Sequence, residues 1–205
     1  VVVRTPRTPR SPQGSRPRAG ITLVTEQTQV IVVGGGQAGL AAGYYLTQAK
    51  MPFVILHADS RIGDSWRARW DSLTLFTPAV YSDLPGLSFH GDPEHYPGKD
   101  AVADYLERYA QTNELPIRYD SRVSSLEPAD GGYRVQAESG SYQAAQVIVA
   151  TGAYQRPYMP PISEQLSDEV TQLHGAEYRN PDQISSRQVL VVGAANSGAQ
   201  IAEDL

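Results

Sequence analysis

The chain has 205 residues, 40% hydrophobic and 19% charged, which suits one large globular unit or two small ones and not a disordered chain. It contains no cysteine, which excludes disulfides, zinc–thiolate sites, thiol catalysis and the dithiol flavoenzymes. The net charge is −5, yet residues 1–20 hold five arginines and no acid, so the remainder sets 12 basic residues against 22 acidic ones, a balance unsuited to nucleic acid.

Residues 1–27 form a Pro/Arg-rich basic tail that cannot bury enough apolar surface to offset its ordering entropy, and disorder is expected there. A docking arm or transit segment is the functional alternative to an unselected leader. The tail has no apolar core of a signal peptide, and no apolar run approaches the ~20 residues of a membrane span. A cytoplasmic protein with no membrane partner is expected. The chain opens on Val1 rather than Met, as a clipped or incomplete product would.

Gln29–Val33 is a continuous β-branched run, the pattern of a strand buried on both faces. A glycine turn follows, then a helix over Gln37–Lys50 with Leu40, Ala41, Tyr44, Tyr45 and Leu46 on its apolar face, then a second buried strand at Phe53–Leu56. This is a β-α-β unit with parallel strands. Residues 58–98 read as a long loop without a regular element, the kind of segment that binds. Its His90–His95 stretch carries two histidines, an aspartate and a glutamate, but without helical His spacing it reads as a solvated loop and not a metal site. Val102, Tyr105, Leu106 and Tyr109 fall on one face of a helix spanning 98–113. Short strands are expected at Ile117–Tyr119, Val123–Leu126, Tyr133–Gln136 and Tyr142–Ala145, with Ala129–Gly132 turning a hairpin. Gln146–Gly152 reads as a further buried strand with a tight turn at its end. After an extended linker, residues 187–205 repeat the opening pattern of strand, glycine turn and helix.

Gly34, Gly36 and Gly39 occupy the three glycine positions of G-x-G-x-x-G, between a strand and a helix as that motif requires. The first glycine permits the turn, the second lets backbone approach a pyrophosphate, and the third lets helix pack on strand. With the free N–H groups of the helix start, Gln37 and Ala38 complete a phosphate cradle. The acid that should follow the second strand and accept ribose hydroxyls is His57 here, with Asp59 as the nearby substitute. Gly193, Ala195 and Gly198, with Asn196 and Ser197 between, form a second such motif with alanine in the middle slot. Two dinucleotide folds, one inserted in the other, are the layout of enzymes that pass hydride from a nicotinamide to a flavin.

From about Thr28 to Leu205 the chain resembles the N-terminal part of the flavin-containing monooxygenases, in the bacterial branch of NAD(P)/FAD-dependent oxidoreductases. Besides the glycine turns, Gly63-Asp64-Ser65-Trp66 resembles the family's G-G-[ST]-W segment along the flavin, with Asp64 in place of its second glycine. Tyr81-Ser82-Asp83-Leu84-Pro85 resembles its aromatic-Ser-Asp-x-Pro segment, and Ala150-Thr151-Gly152 its A-T-G strand end between domains. His174 to Tyr178 matches the second half of F-x-G-x-x-x-H-x-x-x-[FY], whose Phe and Gly positions hold Asp168 and Val170. His174 is expected to position the linker.

The resemblance implies an α/β fold: a Rossmann-like FAD domain over 28–155, then the linker and the truncated start of an inserted NAD(P) domain over 156–205. It implies NADPH reducing FAD, which activates O2 as a C4a-hydroperoxide and oxygenates a small organic nitrogen, sulfur or carbonyl substrate. A flavin reductase or oxidase without oxygenation, and a non-catalytic FAD-binding remnant, are the alternatives. Gly34, Gly36, Gln37, Ala38 and Gly39 would hold the FAD pyrophosphate, with His57 at the ribose and Val123 near the adenine. Gly63, Ser65 and Trp66 would lie by the flavin ring, and Thr151 and Gly152 at the domain junction. Gly193, Ala195, Asn196, Ser197 and Gly198 would hold NADPH.

Overall fold

Val30, Ile31 and Val32 are each at most 1% exposed, so consecutive side chains on opposite faces of one strand are both buried. That strand, β1 (Thr25–Val33), takes in the last three residues of the expected tail. We describe the protein from a computed structural model, which covers residues 25–154, 156–185 and 188–205. The expected disorder of the basic tail falls almost wholly on residues outside these. The chain divides into two compact units at Gln155/Arg156.

The first unit starts β1, α1 (Gln37–Gln48), β2 (Phe53–Leu56), with β2 pairing parallel to β1, Val30 opposite Phe53. A four-residue helix α2 (Asp64–Arg67) and a 3-10 turn at Ala79–Tyr81 interrupt the segment expected to be irregular. Helix α3 (Lys99–Thr112) leads to β3 (Ile117–Arg118), which adds parallel to β2. Strands β4 (Val123–Ala129), β5 (Gly132–Ala137) and β6 (Gly140–Val149) form an antiparallel meander, with the expected hairpin pairing Ala129 to Gly132. The sheet order is β3-β2-β1-β6-β5-β4.

β6 corrects the reading of two separate strands. It is one ten-residue strand that pairs antiparallel with β5 through Ala144 and parallel with β1 as far as Val149. Beyond Ala144 its β5 side has no partner strand among the described residues. Ile148 and Val149 are exposed there, at 36% and 64%, where a strand buried on both faces was expected.

The alternation of β1 divides the core. Val30 and Val32 pack with Leu40 of α1, Ile55 of β2 and the α3 residues Val102, Tyr105, Leu106 and Tyr109. Ile31 and Val33 pack on the other face with Val54, Leu56, Val135 and Tyr142. Each fully buried aliphatic side chain contributes ~1.5–3 kcal/mol. The expected face of α3 is buried throughout. The face of α1 is corrected: Tyr45 is 61% exposed, and Gly39, Leu40 and Gly43 form the buried line.

In the second unit Tyr178 is fully buried, and its hydroxyl donates to Asp204 Oδ2 (2.7 Å) on α4 (Asn196–Asp204). The His174–Tyr178 turn is closed on itself. Ala176 N–H donates to His174 Nδ1 (3.0 Å) and Tyr178 N–H to His174 O (3.2 Å). The strand expected before α4 is not formed: residues 188–195 join no strand ladder among the described residues, and Leu190 and Val192 are exposed. A strand needs a neighbour to take its amides and carbonyls. Among the described residues no helix is long and apolar enough to cross a membrane.

Candidate functional site

The first glycine turn is locked between two strand ends. Gly34 N–H donates to Leu56 O (2.9 Å) and Ala150 N–H to Val33 O (2.8 Å). Gly34 has φ +109°, and a Cβ there would overlap Ala150 O and stand 3.2 Å from Thr151 Cα. The Ala150-Thr151-Gly152 strand end therefore lies directly against the turn. Gly36 caps α1 in an extended conformation with no side-chain hydrogen bond, and nothing stands within 4 Å of where its Cβ would be. Gln37 and Ala38 are exposed and the first turn carries no acid. The helix thus begins with backbone donors facing open space, the arrangement that accepts a phosphate. A Cβ on Gly39 would overlap the Gly34 carbonyl oxygen, which is how the third glycine brings helix and turn into contact.

His57, at the end of β2, is buried beneath this turn; a Cβ on Gly35 would stand 2.8 Å from His57 Nδ1. His57 Nε2 lies 3.1 Å from Arg61 O, a carbonyl that needs a donor, which assigns the proton to Nε2 and leaves Nδ1 an acceptor. Asp59 Oδ2 stands 3.9 Å from the same nitrogen. Ser121 N–H donates to His57 O (2.8 Å), which brings Val123, two residues on, to the same strand end. The expected ribose residue is thus tied to the segment that leads into β4, two residues before the expected adenine residue.

Gly63 caps α2 against Ala103 of α3. Ser65 is exposed on α2, and Trp66 is half-buried. The Asp64 carboxylate pairs with Arg67 (3.4 Å), so the departure from the G-G-[ST]-W pattern brings its own counter-charge. Trp66 and Gln37 line a cavity of about 260 Å³ with Leu75, Phe76, Leu84 and Phe89, and no charged side chain lines it. Gln37 thereby joins the glycine turn to the Trp66 segment. Helix α3 adds Val102, Tyr105 and Leu106 to this wall, residues that the sequence places on one helix face without marking them as part of a site. The signal for them was the apolar face of α3.

The Trp66 segment is held to α3 by charge. Arg61 grips Glu107 with Nε (2.7 Å) and Nη2 (2.6 Å), and Arg67 reaches Glu107 (3.0 Å) and Asp104 (2.8 Å). The hydrogen bond from Arg61, then the charges of Arg61 and Arg67, hold the Glu107 carboxyl below its ordinary value of 4.5. A depressed folded value means that this stabilisation is present above pH 4.5 and is lost as pH falls through the folded value. Glu107→Gln is expected to lower the urea midpoint modestly at neutral pH and to flatten its acid limb. Superimposable acid limbs for the two proteins would show that Glu107 carries no such linkage.

The second glycine turn repeats the first. Gly193 has φ +110°, and Ala195 caps α4 at φ −81°, ψ 176°, against −81° and −173° at Gly36. A Cβ on Gly198 would overlap the Gly193 carbonyl oxygen, as on Gly39. Ala195, Asn196 and Ser197 are exposed around the helix start.

The profile of one protein family, the pyridine nucleotide-disulphide oxidoreductases, matches residues 31–205. The chain belongs to this family. With no cysteine in these 205 residues, no dithiol of this chain takes part in its chemistry. An uncharacterized CzcO-like oxidoreductase of Geobacillus kaustophilus is 54% identical over 86% of this chain and 51% of its own length. An indole-3-pyruvate monooxygenase of rice, Oryza sativa subsp. japonica, is 32% identical over 85% of this chain and 44% of its own. The solved flavin-containing monooxygenase of Stenotrophomonas maltophilia superimposes with a TM-score of 0.77 at 31% identity, over 88% of this chain and 56% of that one. The chain spans about half the length of the curated relatives it matches. The fold is Rossmann-like; the family's name carries a pyridine nucleotide and oxidoreductase chemistry, and the solved relative's name a flavin.

Proposed function

We propose that the protein of which these residues are part is an NADPH-dependent flavin monooxygenase acting on a small organic molecule and O2. The observation that carries this is the pair of glycine turns with the same backbone geometry, each opening a helix onto unobstructed space. In this reading residues 28–155 hold FAD and residues 156–205 begin the nicotinamide-nucleotide domain. Gly34, Gly36, Gln37, Ala38 and Gly39 bind the FAD pyrophosphate through backbone N–H groups. His57 Nδ1 accepts a ribose hydroxyl, one hydrogen bond where a carboxylate offers more. Val123 lies by the adenine, and Gly63, Ser65 and Trp66 lie by the ring, with Thr151 and Gly152 closing the turn side. Gly193, Ala195, Asn196, Ser197 and Gly198 do for NADPH what the first turn does for FAD.

FAD, when bound, supplies the redox and oxygen chemistry, and NADPH the electrons. The residues of this chain bind, orient and exclude water. The uncharged cavity beside Trp66 suits a flat neutral ring at the end of a dinucleotide whose phosphates sit on the α1 terminus. A substrate with an oxidisable nitrogen or sulfur, or a carbonyl, fits the same chemistry.

The test is the visible spectrum of the protein after FAD addition and desalting, before and after anaerobic NADPH. The expected result is a flavin band that stays with the chain and, in the whole protein, bleaches with NADPH. A band lost on desalting overturns the FAD assignment. A band that bleaches but yields only hydrogen peroxide with amine, sulfide and ketone probes favours an oxidase over a monooxygenase.

A further inference from the structure

The cavity wall formed by residues 82–89 is itself neither a sheet strand nor a helix. Ser82, Leu84 and Phe89 line the cavity from this loop. The loop's own backbone bonding is sparse: Leu87 N–H donates to Leu84 O (3.2 Å) and Phe89 N–H to the Asp83 carboxylate (2.6 Å). Three further loop groups are taken by two phenols of α3. Leu84 N–H donates to Tyr105 Oη (2.6 Å), the same hydroxyl donates to Leu87 O (2.7 Å), and Tyr109 Oη donates to Pro85 O (2.7 Å). One hydroxyl thus bridges an amide and a carbonyl three residues apart, using its donor and an acceptor site at once. The outer side of the loop is seated as closely. A Cβ on Gly86 would come within 2.5 Å of the Tyr44 ring of α1, and Phe89 packs on Tyr105 in a tilted pair with centroids 4.7 Å apart.

These contacts exceed what anchoring a surface loop requires. Tyr105 is 3% exposed and is itself a lining residue of the cavity, so the ring that pins the loop also forms part of the wall it positions. We propose that Tyr105, by bridging Leu84 N–H and Leu87 C=O, is a positioning residue that fixes the 82–89 loop as the wall against which the ring end of the bound dinucleotide seats. Tyr109 is its second point of attachment. The inference rests on the flavin reading above and goes beyond it in naming which residues shape the ring end, independently of those that hold phosphates. A wall fixed from α3 acts on the ring alone, since the pyrophosphate cradle is built from β1, α1 and the Ala150–Gly152 strand end.

The test separates the two ends of the ligand. Tyr105→Phe keeps the ring and removes the bridge; Tyr45→Phe, at the exposed tyrosine of α1, is the control. Each variant is titrated with lumiflavin, which carries the ring alone, and with ADP, which carries the other end. Tyr105→Phe is expected to weaken lumiflavin about tenfold, which is about 1.4 kcal/mol, with ADP affinity unchanged. Tyr45→Phe is expected to change neither. Hydrogen exchange at the Leu84 amide is expected to speed up in Tyr105→Phe only. Equal lumiflavin affinity in wild type and Tyr105→Phe, or parallel losses of lumiflavin and ADP, would overturn the positioning role. If wild type binds ADP but no lumiflavin, the flavin reading fails. Leu84 exchange then decides the clamp by itself: unchanged exchange in Tyr105→Phe overturns it, and faster exchange upholds it for whatever ring the cavity takes.

Discussion

Gly39→Ala is expected to abolish FAD retention while Gly198→Ala leaves it intact. A methyl on Gly39 would overlap the Gly34 carbonyl oxygen, and the Gly34 side cannot yield. Gly34 is fixed by hydrogen bonding to Leu56 O, and a shift of Gly34 would drive it into Ala150 and Thr151. The helix must therefore move off the strand. Overpacking of this kind costs ~1–3 kcal/mol, and rigid backbone on both sides places this site at the upper end. The displacement also withdraws the N–H groups at Gln37 and Ala38 from the phosphates. Losing two hydrogen bonds to a charged group, at ~1.5–3 kcal/mol each, weakens FAD on the order of a hundredfold or more. At the second turn the same methyl overlaps the Gly193 carbonyl oxygen, so the local damage is equivalent. Its expected consequence differs: the whole protein with Gly198→Ala keeps its flavin band but no longer bleaches with NADPH. Binding titrations with FAD and with NADPH on both variants check this. If Gly198→Ala weakens FAD as much as Gly39→Ala does, the turns are not two separate sites.

These glycines were legible in the sequence because their spacing is a backbone requirement, and backbone geometry is local. The same holds for α3, where Val102, Tyr105, Leu106 and Tyr109 are all buried as the 3.6 period indicates. On α1 the period misled. The period puts Tyr45 on the apolar face, yet the helix sits on the sheet through Gly39 and Gly43; a Cβ on Gly43 would stand 3.0 Å from Ile55 Cδ1. Glycine adds nothing to a hydropathy pattern, so a helix that approaches its sheet through glycines hides its own contact face. The phenol clamp was illegible for a different reason. Tyr105 and Tyr109 find their partners in backbone groups 18 to 24 residues away, and nothing in the loop sequence marks a carbonyl as lacking a donor. The strand expected before α4 shows the converse. Its apolar run and glycine turn are legible, and the turn forms, but residues 188–195 join no strand ladder among the described residues, because strand structure requires a neighbour that local sequence cannot specify.

Tyr109 makes the attachment of the 82–89 loop sensitive to alkali. Its ring is fully buried, its hydroxyl donates to Pro85 O, and burial, reinforced by the neighbouring phenols of Tyr105, Tyr44 and Tyr45, pushes its pKa from 10.0 up to about 12. The folded state thus keeps a proton that the unfolded chain releases above pH 10. By linkage, stability from this group is fully present below pH 10 and is lost as pH rises toward 12, with a slope of at most about 1.4 kcal/mol per pH unit for one proton. Tyr109→Phe removes both the proton and the donor. At neutral pH it is expected to cost ~1–3 kcal/mol, because the Pro85 carbonyl is left without its partner. Above pH 10 the variant should fall less steeply than wild type, so that the two urea-unfolding curves converge as pH approaches 12. Tyr105 and Tyr119 are raised in the same direction by burial and titrate in both proteins, so the difference between the curves isolates Tyr109. Parallel curves across this range would mean that Tyr109 ionises as freely folded as unfolded. Its hydroxyl would then not be committed to Pro85, and the second attachment point of the cavity wall would be lost with it.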